Sequence, residues 1–158
     1  MQETFRIFKT KHSATWFDGE GARLYGGRWN SQGVRLLYAS ATLSLAALEM
    51  LVHLNSQEVL SAYSFAKIEF PQELVLPVEE FRKLPPLWSA SPAPMKIQQI
   101  GDEWAASRDS AVLRVPSSII SIESNFLVNL EHPDSAKCIF CKPDTFAFDD
   151  RLIRRVEK

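Results

Sequence analysis

From Ala62 to Phe70 (AYSFAKIEF) apolar and polar residues alternate, which predicts a strand with one buried face. Shorter apolar runs predict strands at Leu74–Leu76, Val112–Val115, Phe126–Val128 and Thr145–Phe148. Arg35–Tyr38 (RLLY) reads as another short, buried strand. Two stretches follow the helical period instead. Ile97, Ile100 and Trp104 keep helical spacing within Ile97–Ala106. Ala41–Leu54 (ATLSLAALEMLVHL) carries a stripe of Leu43, Ala46, Ala47, Met50, Leu51 and Leu54, with Ser40 placed to cap it. Leu45, Leu48 and Val52 add a second apolar side, so this helix is expected to be buried on most of its circumference. Strands outnumber helices and few βαβ units appear. The predicted class is α+β: a curved mixed or antiparallel sheet with helices packed on it.

The breakers are unevenly spread. Five of six glycines fall between Gly19 and Gly33, whereas all nine prolines lie at or after Pro71. Leu84–Pro94 (LPPLWSASPAP) reads as an irregular surface crossing, because proline removes backbone donors and blocks helix. The glycine-rich block, GEGARLYGGRWNSQGVRLLY over 19–38, supports two readings. Its glycines could make the turns of a twisted hairpin, or let backbone approach a ligand closely. It is no GxGxxG dinucleotide loop, since no strand precedes it and no helix opens from it, and no Walker lysine follows.

Length and charge narrow the classes. The 158 residues suit one domain over 1–158, with 46% hydrophobic and 23% charged residues, which argues against disorder. A net charge of −1 argues against sequence-independent nucleic-acid binding, which needs a basic surplus, while leaving room for a local basic groove. No apolar run is long enough for a membrane span and the N-terminus has no secretory core. With only Cys138 and Cys141, a reduced, cytoplasmic protein is expected.

Three pieces could carry chemistry. Gly26-Gly27-Arg28-Trp29-Asn30 presents a cation and an indole beside bare backbone, and an arginine there suits a phosphate or carboxylate. Glu49 sits on a helix with few other polar positions, either in an ion pair with an arginine or as a partly desolvated catalytic carboxylate with His53 one turn on. Ser117 follows Pro116 at a strand end, where a side chain can line a cleft or simply turn the chain; no G-x-S-x-G frame surrounds it. Cys138 and Cys141 lack the partner ligands of a zinc site and read as free thiols, and His12, His53 and His132 show no metal spacing, so no metal site is expected. Arg151, Arg154, Arg155 and Lys158 read as a solvated basic end.

Together these residues resemble the RES domain family, toxins of bacterial toxin–antitoxin pairs. The likeness rests on Phe5-Arg6-Ile7, Asp18 to Ala22, Gly26 to Gly33, Tyr38-Ala39-Ser40, Ala47-Leu48-Glu49, Val115-Pro116-Ser117, Asn125-Phe126-Leu127, His132-Pro133 and Phe148 to Leu152. Asn129-Leu130 departs from the Asn-Pro common in the family, which bears on Asn129 and His132. The resemblance implies an ADP-ribosyltransferase-like fold and NAD⁺ as substrate rather than cofactor, its nicotinamide–ribose bond being cleaved. The family's name residues fall on Arg28, Glu49 and Ser117, and Tyr38 joins them as a catalytic candidate. Arg6, Gly27, Arg28, Tyr38 and Asn125 are the implied NAD⁺-binding residues. The implied partner is an Xre-like helix-turn-helix antitoxin, in a hetero-oligomer. Two other outcomes stay open: transfer of ADP-ribose to a protein, and a non-catalytic module binding a phosphate-bearing ligand or nucleic acid.

Overall fold

The structure is a computed structural model describing residues 1–55, 57–58 and 61–156. Its strands are β1 (Gln2–Lys9), β2 (Leu36–Ser40), β3 (Tyr63–Phe70), β4 (Val75–Pro77), β5 (Val112–Pro116), β6 (Ser124–Asn129), β7 (Ile139–Phe140) and β8 (Asp144–Phe146). The helices are α1 (Glu20–Tyr25), α2 (Leu43–Leu51), α3 (Val78–Phe81), α4 (Met95–Ser107) and α5 (Asp150–Val156). One sheet runs in the order β4-β5-β6-β2-β1-β3-β7, with β8 also on β3. Among the described residues only β4–β5 is parallel, so the sheet is mixed and the class is α+β, as the sequence predicts.

Side-chain alternation on β2 shows how the sheet fills both faces. Leu37 and Ala39 join Phe8, Trp16, Ile68, Phe70 and Phe126 on one side. Leu36 meets Ile97, Ile100 and Trp104 of α4 on the other. Each large apolar side chain buried this way contributes about 1.5–3 kcal/mol. The spacing that predicts α4 is thus its buried face, and the indole Nε1 of Trp104 is satisfied by Ser110 Oγ at 2.9 Å.

The sheet is split in its middle. β1 pairs with β3 from Gln2–Phe70 to Lys9–Tyr63, and β2 with β6 along its whole length. Between β1 and β2, however, only Phe5 and Ser40 are in register. Beyond that pair the strands part, and Arg6 Nη1 donates to the Tyr38 carbonyl at 3.0 Å. A guanidinium thereby satisfies a backbone acceptor that a continuous ladder would have used.

Several expectations are corrected. The glycine-rich block is not a strand hairpin. It holds α1, whose Glu20 amide is capped by Asp18 Oδ1 at 2.9 Å, and a tight turn closed by the bridge Gly27–Asn30. Ala22-Arg23-Leu24-Tyr25 are adequate helix formers once Gly19 and Gly26 supply the ends. Helix α2 is capped by Thr42, whose side chain accepts from the Leu45 amide at 3.1 Å, not by Ser40. Nor is α2 buried all round: Leu45 and Ala46 are buried, but Leu48 is 39% exposed, and Val52, which follows the helix end at Leu51, is 59% exposed. One side of α2 packs on the sheet while Met50 and Val52 face a cleft. The crossing over 84–94 is irregular, as expected. Arg151 and Arg154 are exposed, while Lys158 and the Arg155 side chain lie outside the described residues.

Candidate functional site

The split between β1 and β2 opens into a cleft of about 1480 Å³. Arg6, Gly27, Arg28, Tyr38, Glu49 and Asn125 all line it, although they come from four elements and one turn. Ser117 does not. It is fully buried behind Glu49 and reaches the cleft only through it.

Glu49 is held by one oxygen. Its Oε1 accepts from Ser117 Oγ at 2.7 Å and from Asn125 Nδ2 at 2.7 Å. Ser117 Oγ itself accepts from the amides of Ile119 and Ile120, both at 3.1 Å, so its single proton is left for Glu49. Among the described residues Glu49 Oε2 has no hydrogen-bond partner, and it is not sealed from solvent. No arginine pairs with Glu49 among these residues, so the ion-pair reading of this carboxylate does not hold. The result is a carboxylate fixed by neutral donors, with one free oxygen at a cleft wall.

The turn carrying Arg28 is tied down from behind. Buried Asn30 donates through Nδ2 to the carbonyls of Ala22 and Val34 and accepts the Tyr38 hydroxyl at 2.5 Å. That hydroxyl accepts from the Trp29 amide at 3.1 Å. A Cβ at residue 27 would lie 2.8 Å from it, so Gly27 is required for the turn to close on Tyr38. Gln98 on α4 adds donations to the carbonyls of Gly27 and Asn30, and Asp102 accepts from the amide and hydroxyl of Ser31. Arg28 Nη1 bonds the carbonyls of Trp88 and Ala90 at 3.2 and 3.0 Å, which anchors the proline-rich crossing at the cleft. Its Nε and Nη2 have no partner among the described residues.

Charge and burial set the rest. Burial pushes the Arg6 guanidinium below its ordinary value, partly opposed by the charge of Asp18, and its Nε is buried without a partner. Burial raises the Tyr38 phenol well above its ordinary 10.0, with the Trp29 amide pulling the other way, so this hydroxyl is a neutral brace. Tyr63 is raised as well, by burial and then by the charge of Glu58. Above pH 10.0 the unfolded chain therefore loses protons that the folded one keeps, and stability falls as pH rises. Thermal unfolding followed from pH 8 to pH 11 should show Tm falling at the alkaline end, more steeply than in Tyr38→Phe.

The remaining candidates are structural. Cys138 is a free thiol pushed up to about 11 by burial, which makes it unreactive. His132 caps the turn Pro133–Lys137 and bonds the Arg108 carbonyl, and buried Asn129 bonds the Ala105 carbonyl and the Glu131 amide. Neither lines the cleft. His12 and His53 lie on its exposed rim. Among the described residues no three His, Cys, Asp or Glu side chains group as a metal site, and no helix is long and apolar enough to cross a membrane. Sequence reasoning gives no role of their own at the site to Asn30, Gln98, Asp102 and Ser40. Only Asn30, inside GGRWN, and Ser40, inside YAS, carry a local signal.

Residues 3–149 match the RES domain family, and this chain belongs to it. It is 36% identical over 149 residues to "Toxin Res" of Yersinia enterocolitica, covering 94% of this chain and 97% of that protein. It is 39% identical over 139 residues to the "Prs ADP-ribosylating toxin" of a Sphingobium species, covering 87% and 86%. The M. tuberculosis MbcT–MbcA toxin–antitoxin complex contains a chain with the same fold, at a TM-score of 0.68 and 16% identity, covering 98% of this chain and 88% of that one.

Proposed function

We propose that this protein is the toxin of a toxin–antitoxin pair and that it cleaves the nicotinamide–ribose bond of NAD⁺, arresting bacterial growth. The observation that carries the reading is Glu49, with Oε1 saturated by Ser117 and Asn125 and Oε2 free in a cleft that also holds two guanidiniums. The names of its relatives point the same way.

The chemistry follows from the charges. Arg6 and Arg28 are suited to the diphosphate, the first offering Nη2, which has no partner among the described residues and is not sealed from solvent, and the second the free edge of its fork. As the C1′–N bond breaks, nicotinamide leaves with the electron pair, and the ribose becomes oxocarbenium-like. Glu49 Oε2 is placed to stabilise that cation. An acceptor then adds at C1′, and when it is water one proton leaves to solvent. Tyr38 holds the Arg28 turn and offers its ring to the nicotinamide side of the cleft. Ser117 acts through Glu49. NAD⁺ is the substrate, and no separate cofactor enters this scheme.

Transfer of ADP-ribose to a protein is the second reading, favoured by the name of the Sphingobium relative. Labelled ADP-ribose retained on a macromolecule, rather than released, distinguishes it. The partner proposed is an Xre-like helix-turn-helix antitoxin that covers the cleft in a hetero-oligomer, and the place of action is the cytoplasm. A non-catalytic module for phosphate ligands or nucleic acid is the remaining alternative, and the net charge of −1 weighs against its nucleic-acid form.

Expression of the protein alone in a bacterium tests the proposal. Growth arrest with a falling NAD⁺ pool is expected; normal growth with soluble, folded protein would contradict it. Arg28→Lys keeps the charge but loses the fork and the two carbonyl bonds at Trp88 and Ala90. It should raise KM for NAD⁺ about 10-fold with kcat much less affected, as steady-state kinetics would show.

A further inference from the structure

The anchoring of Glu49 continues past Asn125 to Ser40. We infer that Ser40 is a positioning residue for Glu49, acting through the side-chain amide of Asn125. The inference deepens the NAD⁺ reading and rests on it for its kinetic test.

Proton logic allows one arrangement. A carboxylate only accepts, so the amide that meets Glu49 Oε1 at 2.7 Å must turn its Nδ2 there. Asn125 Oδ1 then faces β2, where Ser40 Oγ lies 2.7 Å away. Oδ1 also only accepts, so Ser40 must donate. The chain of donations therefore runs from Ser40 to Asn125 to Glu49, each bond polarising the next. Ser40 is buried at the cleft wall, and its hydroxyl is committed to Asn125.

The topology explains why this serine can do it. Ser40 stands directly opposite Asn125 in the β2–β6 ladder, so the amide and the hydroxyl are neighbours by register. Ser40 is also the β2 residue paired with Phe5, the last point at which β1 and β2 hold together before the cleft opens. The relay thus starts at the joint of the split sheet and ends at the carboxylate on α2. Without the hydroxyl, Oδ1 loses its donor, and rotation of the amide would set an oxygen against the Glu49 carboxylate. Ser117 would then hold Oε1 alone, and Oε2 would lose its fixed direction.

Ser40→Thr and Ser40→Val have nearly the same shape on a strand and differ in the hydroxyl. Ser40→Thr should keep kcat close to that of the native protein. Ser40→Val should lower kcat about 10-fold, the scale of one hydrogen bond lost from an ionic network, with KM nearly unchanged. In an Asn125→Ala background the two variants should turn over alike, because the relay is already cut. A gap of the same size in that background would overturn the inference, as would equal kcat of the two variants in the native background. If Ser40→Val fails to fold, Ser40→Ala takes its place in the same comparison. Should the native protein release no nicotinamide, the NAD⁺ reading fails on its own account. The relay is then decided by NMR of the Asn125 side-chain amide, whose signals should shift in Ser40→Val and stay in place in Ser40→Thr. Signals unmoved in both would overturn it.

Discussion

Glu49→Gln should lower kcat for nicotinamide release by about 10²-fold or more and leave NAD⁺ binding close to native. The substitution fits the site's hydrogen bonds. A glutamine carbonyl at the position of Oε1 still accepts from Ser117 and Asn125. Its amide nitrogen then takes the place of Oε2, which has no protein partner among the described residues to lose. What disappears is the charge that, in the proposed reaction, faces the developing ribose cation. Ground-state NAD⁺ carries no such ribose cation, so its binding changes little. Glu49→Ala is a poorer probe, because it strands two donors and opens space beside α2. Steady-state kinetics and isothermal titration of NAD⁺ into Glu49→Gln check the expectation. Binding abolished in a protein shown to be folded would mean that Glu49 shapes the pocket instead.

The second large effect lies far from the carboxylate. Gly101, within α4, is pressed against the turn that carries Arg28. A Cβ there would lie 1.7 Å from the Trp29 carbonyl oxygen, a backbone atom that cannot swing aside. Gly101→Ala must push α4 off that turn, disturbing the contacts of Gln98 and Asp102 with it. The expected cost is about 3 kcal/mol or more, or a fall in Tm of about 10 °C. Gly21 provides the control. It lies within α1 with nothing within 4 Å of an added Cβ, so Gly21→Ala should stabilise by about 0.5–1 kcal/mol. Calorimetry of the two variants would show opposite signs.

These two residues also mark what the sequence makes legible. Helix α4 is readable because Ile97, Ile100 and Trp104 repeat at helical spacing, and β3 because its polar residues alternate. Neither pattern says that Gly101 meets Trp29, a contact between residues 72 positions apart in which no side chain of Gly101 takes part. Strand β1 escapes the periodicity argument. It lies in the interior of the sheet yet carries Arg6, which bridges the split rather than pointing to solvent. Helix α1 is hidden because its flanking glycines look like hairpin turns. Ser40 looks like a cap because it precedes a helical stripe, but Thr42 takes that task and leaves the Ser40 hydroxyl for Asn125.

At the site, Arg28, Tyr38 and Glu49 are visible through their motif context, and the cleft does gather them. Their division of labour is not visible. The Tyr38 hydroxyl is spent on Trp29 and Asn30, and Ser117 stands behind the carboxylate rather than beside the cleft. Such roles depend on which atoms remain free after backbone groups have taken their partners, and that is settled only in three dimensions.

Whether a fixed carboxylate at the split of this sheet breaks the nicotinamide–ribose bond is tested most directly by proton NMR. NAD⁺ would be incubated with the purified protein, with and without phosphate. Free nicotinamide should appear in step with the loss of NAD⁺, at a rate about 10²-fold or more above that of Glu49→Gln. The ADP-ribose signals would report whether the acceptor is water, phosphate or a protein side chain. NAD⁺ left intact by folded protein free of any antitoxin, or nicotinamide released equally fast by Glu49→Gln, would contradict that role for the carboxylate.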